Sequence, residues 1–274
     1  MPLPGLVDTH CHLNFRAYAD DLDEVLQRAS DAGVHQIIIP AIDLDSCVEA
    51  LALAQTCSWL WCALGIHPNS SQDADPACIE RIRDWSEREK VIAIGEIGLD
   101  YYWDKSPRNV QIRWFERQLE LAADRELPVI IHNRESTEDV LDILASWAPS
   151  LSPELRKRPG VLHSFSGDQA QAERALALGF YLGFTGPLTF KKASELRAIA
   201  RSAPRDRLLI ETDGPFLTPQ PYRGKRNEPA YLSYINDKLA ELHGLSAIEM
   251  ACQLAENAAK LFSLPLPPDK TAVN

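Results

Sequence analysis

Two histidines one residue apart, His10 and His12, close the short run Leu6-Val7-Asp8-Thr9. Residues two apart on a strand share a face, so both imidazoles should point one way and Cys11 the other. Four more runs are apolar up to a metal-ligand residue type: Ala93-Ile94-Gly95-Glu96, Val129-Ile130-Ile131-His132, Val161-Leu162-His163 and Leu209-Ile210-Glu211-Thr212-Asp213. A single histidine at a strand end is ordinarily a hydrogen-bonded core or rim group. Six such residues on five strands are harder to bury, because each unsatisfied polar group costs roughly 1–3 kcal/mol. A cation removes the conflict.

Four imidazoles and two carboxylates exceed what one zinc usually takes from protein. Two divalent cations are therefore expected, with His10, His12 and Asp213 on one, His132 and His163 on the other, and Glu96 bridging. Such a pair, roughly 3.5–4 Å apart, can share a hydroxide and clamp both oxygens of a phosphoryl displacement. Mixed nitrogen and oxygen ligation suits zinc or manganese, and magnesium also if water completes the shell. Asp213 is either a ligand only, or a ligand that also takes the proton of the attacking water.

Other groups could meet substrate. His67 either contacts a phosphate or leaving group or is pinned by the turn before Pro68. Arg134 either binds a phosphate oxygen bidentately or pairs with Glu135 or Glu138. The run after the last strand carries Arg223, Lys225 and Arg226, where barrels of this kind often hold phosphate, although a solvated charge run is the ordinary alternative. Tyr101, Tyr102, Trp103 and Phe216 either stack unpaired bases or pack the loops. His35, His243 and the stretch Arg156-Lys157-Arg158 are expected away from the metals.

The elements that must position these groups alternate along the chain. Strands are predicted at 6–9, 36–41, 60–66, 91–98, 128–132, 160–165, 180–185 and 207–213. Amphipathic helices are predicted at 20–31, 46–57, 76–89, 110–125, 137–147, 169–178, 193–202, 230–242 and 247–262. Continuous apolar strand runs separated by helices indicate a parallel sheet covered by helices. Eight such units close naturally into a single-domain α/β TIM (β/α)8 barrel. A doubly wound sheet would usually carry a Gly-rich phosphate turn after its first strand, and none is present. The barrel should span 1–263, with 264–274, which holds three prolines, as a flexible tail.

Composition agrees with one large soluble domain: 274 residues, 45% hydrophobic and 24% charged, near the roughly 250 residues of such barrels. No apolar stretch approaches the roughly 20 residues of a membrane span, and no signal peptide is visible, so a cytoplasmic protein is expected. The six cysteines form no C-x-x-C pair and read as reduced core residues. The net charge of −11 disfavours extended duplex binding, which usually needs a basic face. It leaves room for an enzyme that grips one strand end with metals supplying positive charge.

Taken together the runs resemble the TatD family of metal-dependent deoxyribonucleases. The matching stretches are Val7-Asp8-Thr9-His10-Cys11-His12-Leu13, Gly65-Ile66-His67-Pro68, Ile94-Gly95-Glu96-Ile97-Gly98-Leu99-Asp100-Tyr101-Tyr102 and Pro128-Val129-Ile130-Ile131-His132-Asn133-Arg134. His163-Ser164-Phe165-Ser166-Gly167, Leu209-Ile210-Glu211-Thr212-Asp213-Gly214-Pro215-Phe216-Leu217 and Arg223-Gly224-Lys225-Arg226-Asn227-Glu228-Pro229 complete the set in the family's order. Ser164 stands where the family often has Cys, and Gly214 where it often has Ala. The resemblance implies a TIM-barrel hydrolase of ester bonds, typically a deoxyribonuclease with 3′ to 5′ exonuclease character that needs divalent metal. It carries metal ligation onto His10, His12, Glu96, His132, His163 and Asp213. The partner expected is nucleic acid, chiefly single-stranded DNA ends; no feature calls for a membrane or an obligate protein partner.

Two rivals stand beside this reading. An amidohydrolase or phosphotriesterase-like enzyme acting on a small ester, lactone or amide also carries His-x-His, but those relatives usually bridge their metals with a carboxylated lysine on strand four, where Glu96 stands here. A non-catalytic metal-binding or scaffolding protein would need a missing ligand or a blocked mouth.

Overall fold

The structure is a computed structural model describing residues 5–103 and 105–265. In chain order the elements are β1 (Leu6–Asp8), α1 (Leu22–Asp31), β2 (Val34–Pro40), α2 (Leu44–Thr56), β3 (Leu60–Leu64), α3 (Cys78–Trp85) and β4 (Val91–Asp100). Then come α4 (Arg108–Asp124), β5 (Val129–Arg134), α5 (Thr137–Trp147), α6 (Pro153–Lys157), β6 (Gly160–Leu162), α7 (Gln169–Ala177) and β7 (Tyr181–Phe184). The chain finishes with α8 (Ser194–Ser202), β8 (Leu208–Ile210), α9 (Leu232–His243) and α10 (Ala247–Phe262).

The strands form one sheet in the order β1 to β8, with parallel ladders for β1·β2, β3·β4, β4·β5, β5·β6 and β6·β7. The last strand returns to the first: the Thr9 N–H donates to the Ile210 carbonyl at 3.3 Å, and Cys11 bridges Gly214 in parallel. A sequential parallel sheet whose ends meet, with helices between its strands, is the α/β TIM (β/α)8 barrel. The strands are buried on both faces, as parallel strands should be; all ten residues of β4 are buried.

Compactness divides the chain into two units, Met1–Ile38 with Gly183–Asn274, and Ile39–Leu182. The first is filled by side chains such as Leu6, Tyr18, Ile37, Phe184, Leu232 and Phe262, and the second by Ile39, Leu60, Leu64, Phe115, Ile131 and Phe180. Reciprocal capping boxes start α2 at Asp43 and Ser46, α7 at Asp168 and Gln171, and α10 at Ser246 and Glu249, each satisfying two amides that the helix itself cannot.

Several element bounds differ from the sequence expectation, each for a local reason. Helices α5 and α10 coincide with it, whereas α3 is shorter and α6 is additional. Strand β8 stops at Ile210 and β6 at Leu162, because the chain turns into the left-handed region at Asp213 (φ 54°) and Ser164 (φ 44°). Strands β4 and β5 run further than expected: Leu99 pairs with Asn133 and Asp100 with Arg134. The β4·β5 register shifts between Ile94 and Ile97, so Glu96 sits at an irregularity in mid-strand rather than at a strand end. Such bulges re-aim side chains beside active sites.

Not every cysteine is a core residue. All six are free thiols, but Cys252 is exposed and Cys57 half-buried, unlike Cys11, Cys47, Cys62 and Cys78. At the C-terminal side, Leu264 is buried and its N–H donates to the Ala259 carbonyl, while the Gln36 amide donates to the Pro265 carbonyl. The rest of the expected tail, 266–274, lies outside the described residues.

Candidate functional site

The unit that contains β1 and β8 gathers three of the six expected ligands. His10 and His12 are both buried. Their Nε2 atoms lie 3.3 Å apart, and Asp213 Oδ1 is 3.7 Å from the first and 3.5 Å from the second. The i, i+2 spacing does what strand geometry demands: both rings face one side, and Cys11, fully buried, faces Gly214 and Tyr18 on the other. Asp213 is held in its left-handed conformation by its own N–H, which donates to the His10 carbonyl at 2.8 Å. Strained backbone of this kind persists where the surroundings over-determine it.

Asp8, not singled out as a functional residue from the sequence, ties this arrangement together. Its carboxyl group accepts the Thr212 N–H at 2.9 Å, the Thr212 hydroxyl at 2.6 Å and the His10 N–H at 3.3 Å. Burial pushes its pKa up to about 7 against the downward pull of those bonds. Asn227, fully buried, donates to the carbonyls of Thr212 and Phe216 at 2.7 and 2.6 Å. The run after β8 is thereby pinned to the strand end that carries Asp213.

The unit that contains β3 to β6 gathers the other three, and a fourth. Glu96 Oε1 lies 2.9 Å from His132 Nδ1 and 3.7 Å from both His163 Nε2 and His67 Nε2. One buried carboxylate oxygen thus serves three imidazoles. His67, expected either at a phosphate or leaving group or pinned by the turn before Pro68, stands in this cluster, its Nδ1 accepting the Asn69 N–H at 3.0 Å and its ring 4.3 Å from that of His132.

Asp100 is the second residue that sequence reasoning passed over. One oxygen, Oδ2, is 2.9 Å from His132 Nε2, and the other accepts the N–H groups of Tyr102 and Trp103, both at 3.0 Å. Burial raises its pKa, but the His132 bond and those two amides outweigh it and bring it down to about 2. Burial pulls His132 towards the neutral form; its bonds to Asp100 and Glu96 prevail and raise its pKa. The available signal was positional, since Asp100 stands four residues beyond Glu96 in a strand expected to stop at Gly98.

Both clusters suit a divalent cation by their donor chemistry. Buried and half-buried nitrogen and carboxylate oxygen donors converge, within 4.8 Å of one another in the groups Glu96, His132, His163 and His67, Asp100, His132. In the first unit two imidazole nitrogens face each other beside a carboxylate oxygen, which is how chelating donors are placed for a shared acceptor.

The remaining expected contacts divide. Arg134 pairs with neither glutamate named for it; its guanidinium lies 4.0 Å over the Tyr102 ring, while Glu138 meets Arg174. Arg223 stacks 4.4 Å over Phe190, and Lys225 stands 5.6 Å over Tyr222. Arg226 is committed elsewhere: it makes two 2.7 Å bonds to Asp21 and a third to the Ala17 carbonyl. That paired guanidinium holds the loop down. His243 sits apart as expected, bonded to the Ala200 carbonyl at 2.9 Å.

With this geometry in view, comparison with known proteins is specific. The family model described as TatD related DNase matches residues 7–263. The chain belongs to the TatD-related DNase family. It is 42% identical over 259 residues to a Bacillus subtilis relative named as an uncharacterized metal-dependent hydrolase, YabD, covering 94% of this chain and 99% of that one. It is 37% identical to a protein of Erwinia amylovora named 3′-5′ ssDNA/RNA exonuclease TatD, covering 94% of this chain and all of the relative. Among solved structures it matches the TatD homologue YJJV from Escherichia coli with a TM-score of 0.88 and 36% identity, over 95% of this chain and 98% of that one. This TatD-family chain is therefore an enzyme, a metal-dependent hydrolase. Among the described residues no helix is long and apolar enough to cross a membrane.

Proposed function

We propose that the protein is a phosphodiesterase that removes nucleotides from the 3′ end of single-stranded DNA, with one divalent cation on each ligand cluster. The observation that carries this reading is the donor set: two groups of buried or half-buried imidazoles and carboxylates, His10–His12–Asp213 and Glu96–His132–His163, in a chain 37% identical to a relative named as a 3′-5′ ssDNA/RNA exonuclease. His10, His12 and Asp213 would hold one cation; Glu96, His132 and His163 the other. When bound, such ions polarise phosphoryl oxygens and lower the pKa of water, the usual supply of nucleophile and charge neutralisation in phosphoester hydrolysis. Zinc, manganese and magnesium all fit ligation by nitrogen and oxygen.

The chain's own groups account for the protons. Water attacks the last internucleotide phosphorus; its oxygen forms the new P–O bond, and the bond to the neighbouring O3′ breaks with its electron pair. Asp213 takes the proton of the attacking water, and a proton from solvent completes the leaving hydroxyl. Glu96 holds His132 in place through Oε1, which also lies 3.7 Å from His163 Nε2. Arg223 and Lys225 neutralise strand phosphates. A protein of net charge −11 that grips only a strand end needs few such cations, because the metals carry positive charge themselves.

The test is product analysis on end-labelled single strands with manganese, magnesium or zinc. Stepwise release of nucleoside 5′-monophosphates from the 3′ end is expected. Hydrolysis of lactones or cyclic amides with no cleavage of any phosphodiester would overturn the proposal.

A further inference from the structure

We infer that the loop after β4 is a stacking site for an unpaired base of the strand being cut, built by Trp103 and Tyr102 with Arg134. The inference rests on the phosphodiesterase reading above and adds what selects the substrate. Five large hydrophobic side chains are exposed among the described residues, and two of them are these neighbours, Tyr102 at 50% and Trp103 at 48%. An exposed aromatic pair forfeits burial that the fold could otherwise use, and contiguous exposed apolar surface marks binding sites more often than chance. The rings are held edge to face, centroids 4.9 Å apart, and Arg134 lies 4.0 Å over Tyr102 and 5.6 Å from Trp103.

Two features tie this platform to the chemistry. Asp100 accepts the backbone N–H groups of both Tyr102 and Trp103 while its other oxygen bonds His132. The backbone that carries the rings is thus tied to the ligand cluster through one buried side chain. Arg134 follows His132 by two residues on β5, so the strand that carries an imidazole of the cluster also carries the cation against the rings. Aromatic faces and a guanidinium match an unpaired base and its phosphate: a base stacks on a ring regardless of sequence, and the cation meets the backbone. A base inside a duplex has no free face to offer. The expected ligand is therefore a single-stranded terminus, of DNA or RNA alike, because stacking does not read the sugar.

The experiment compares kcat/KM for a single-stranded oligonucleotide with that for bis(p-nitrophenyl) phosphate, a diester without bases. In Trp103→Ala the preference for the oligonucleotide should fall about ten-fold, in line with the usual worth of one stacked base. Trp103→Phe should restore most of it. An oligonucleotide with abasic sites at its 3′ end should show no difference between wild type and Trp103→Ala. An unchanged preference in Trp103→Ala, with both substrates still cleaved, overturns the stacking site alone. A wild-type enzyme that cleaves no oligonucleotide removes the functional reading beneath it.

Discussion

Asp100 and His132 face each other across the β4·β5 ladder with 2.9 Å between Oδ2 and Nε2. The aspartate adds nothing to apolar packing, yet it is buried and takes two further backbone N–H donors. Its effect is to fix the orientation of an imidazole in the cluster. Groups of that kind typically govern metal affinity by 10–100-fold. Asp100→Ala should therefore weaken binding of manganese or zinc by about 10-fold or more, read by titration calorimetry on the metal-stripped protein. Wild-type affinity in that variant would remove Asp100 from the site.

Glu96→Gln and Asp213→Asn should each lower kcat by about 10²–10⁴-fold, the usual worth of a positioned proton-transfer or ligand group, with thermal unfolding changed little. Near wild-type turnover in either variant would refute the mechanism.

The loop after β8 makes a sharper prediction because its cations are used differently. Lys225→Ala should raise KM about three-fold with kcat nearly unchanged, the mark of a binding contact. Arg226→Ala should leave KM alone and instead cost about 1 kcal/mol of stability or less, since its pairs with Asp21 are partly exposed. Steady-state kinetics and urea unfolding on both variants distinguish the two roles; a KM effect at Arg226 would reverse this assignment.

The same pair predicts a pH dependence. The Arg226 bonds, reinforced by Arg28, hold the Asp21 carboxyl down to about 2 from an ordinary 3.8. A carboxylate with a lowered pKa in the folded state stabilises it above the unfolded value and loses that contribution as pH falls towards the folded one. Wild type should therefore outlast Asp21→Asn in urea at pH 6, and the gap should close between about pH 4 and pH 2. A gap that stays constant over that range would show that the charge of Asp21 is irrelevant.

Gly98 is required where β4 passes His132. Its φ is +139°, and a Cβ there would lie 2.0 Å from the His132 carbonyl oxygen. Gly98→Ala should cost about 3 kcal/mol or more, seen as a fall in the thermal midpoint and loss of bound metal. A fully stable, metal-loaded variant would show that the ladder can yield there.

Much of this protein was legible before its structure. The eight strand–helix units, the six candidate ligands and the family follow from local patterns: apolar runs that end in His, Glu or Asp, and helices paced by their apolar faces. Such signals are short-range, so the sequence carries them directly. What it does not carry is which polar groups meet across strands. Asp8 meeting Thr212 spans 204 positions, and Arg226 meeting Asp21 spans 205; no periodicity links such pairs. Nor could apolar patterning show that the β4·β5 register shifts at Glu96, or that β4 runs on to Asp100, whose carboxylate accepts the Tyr102 and Trp103 N–H groups. Composition and spacing chose the donors; register and long-range hydrogen bonding decided which of them touch. Side-chain chemistry is written residue by residue, whereas ladder register arises only when distant strands pair.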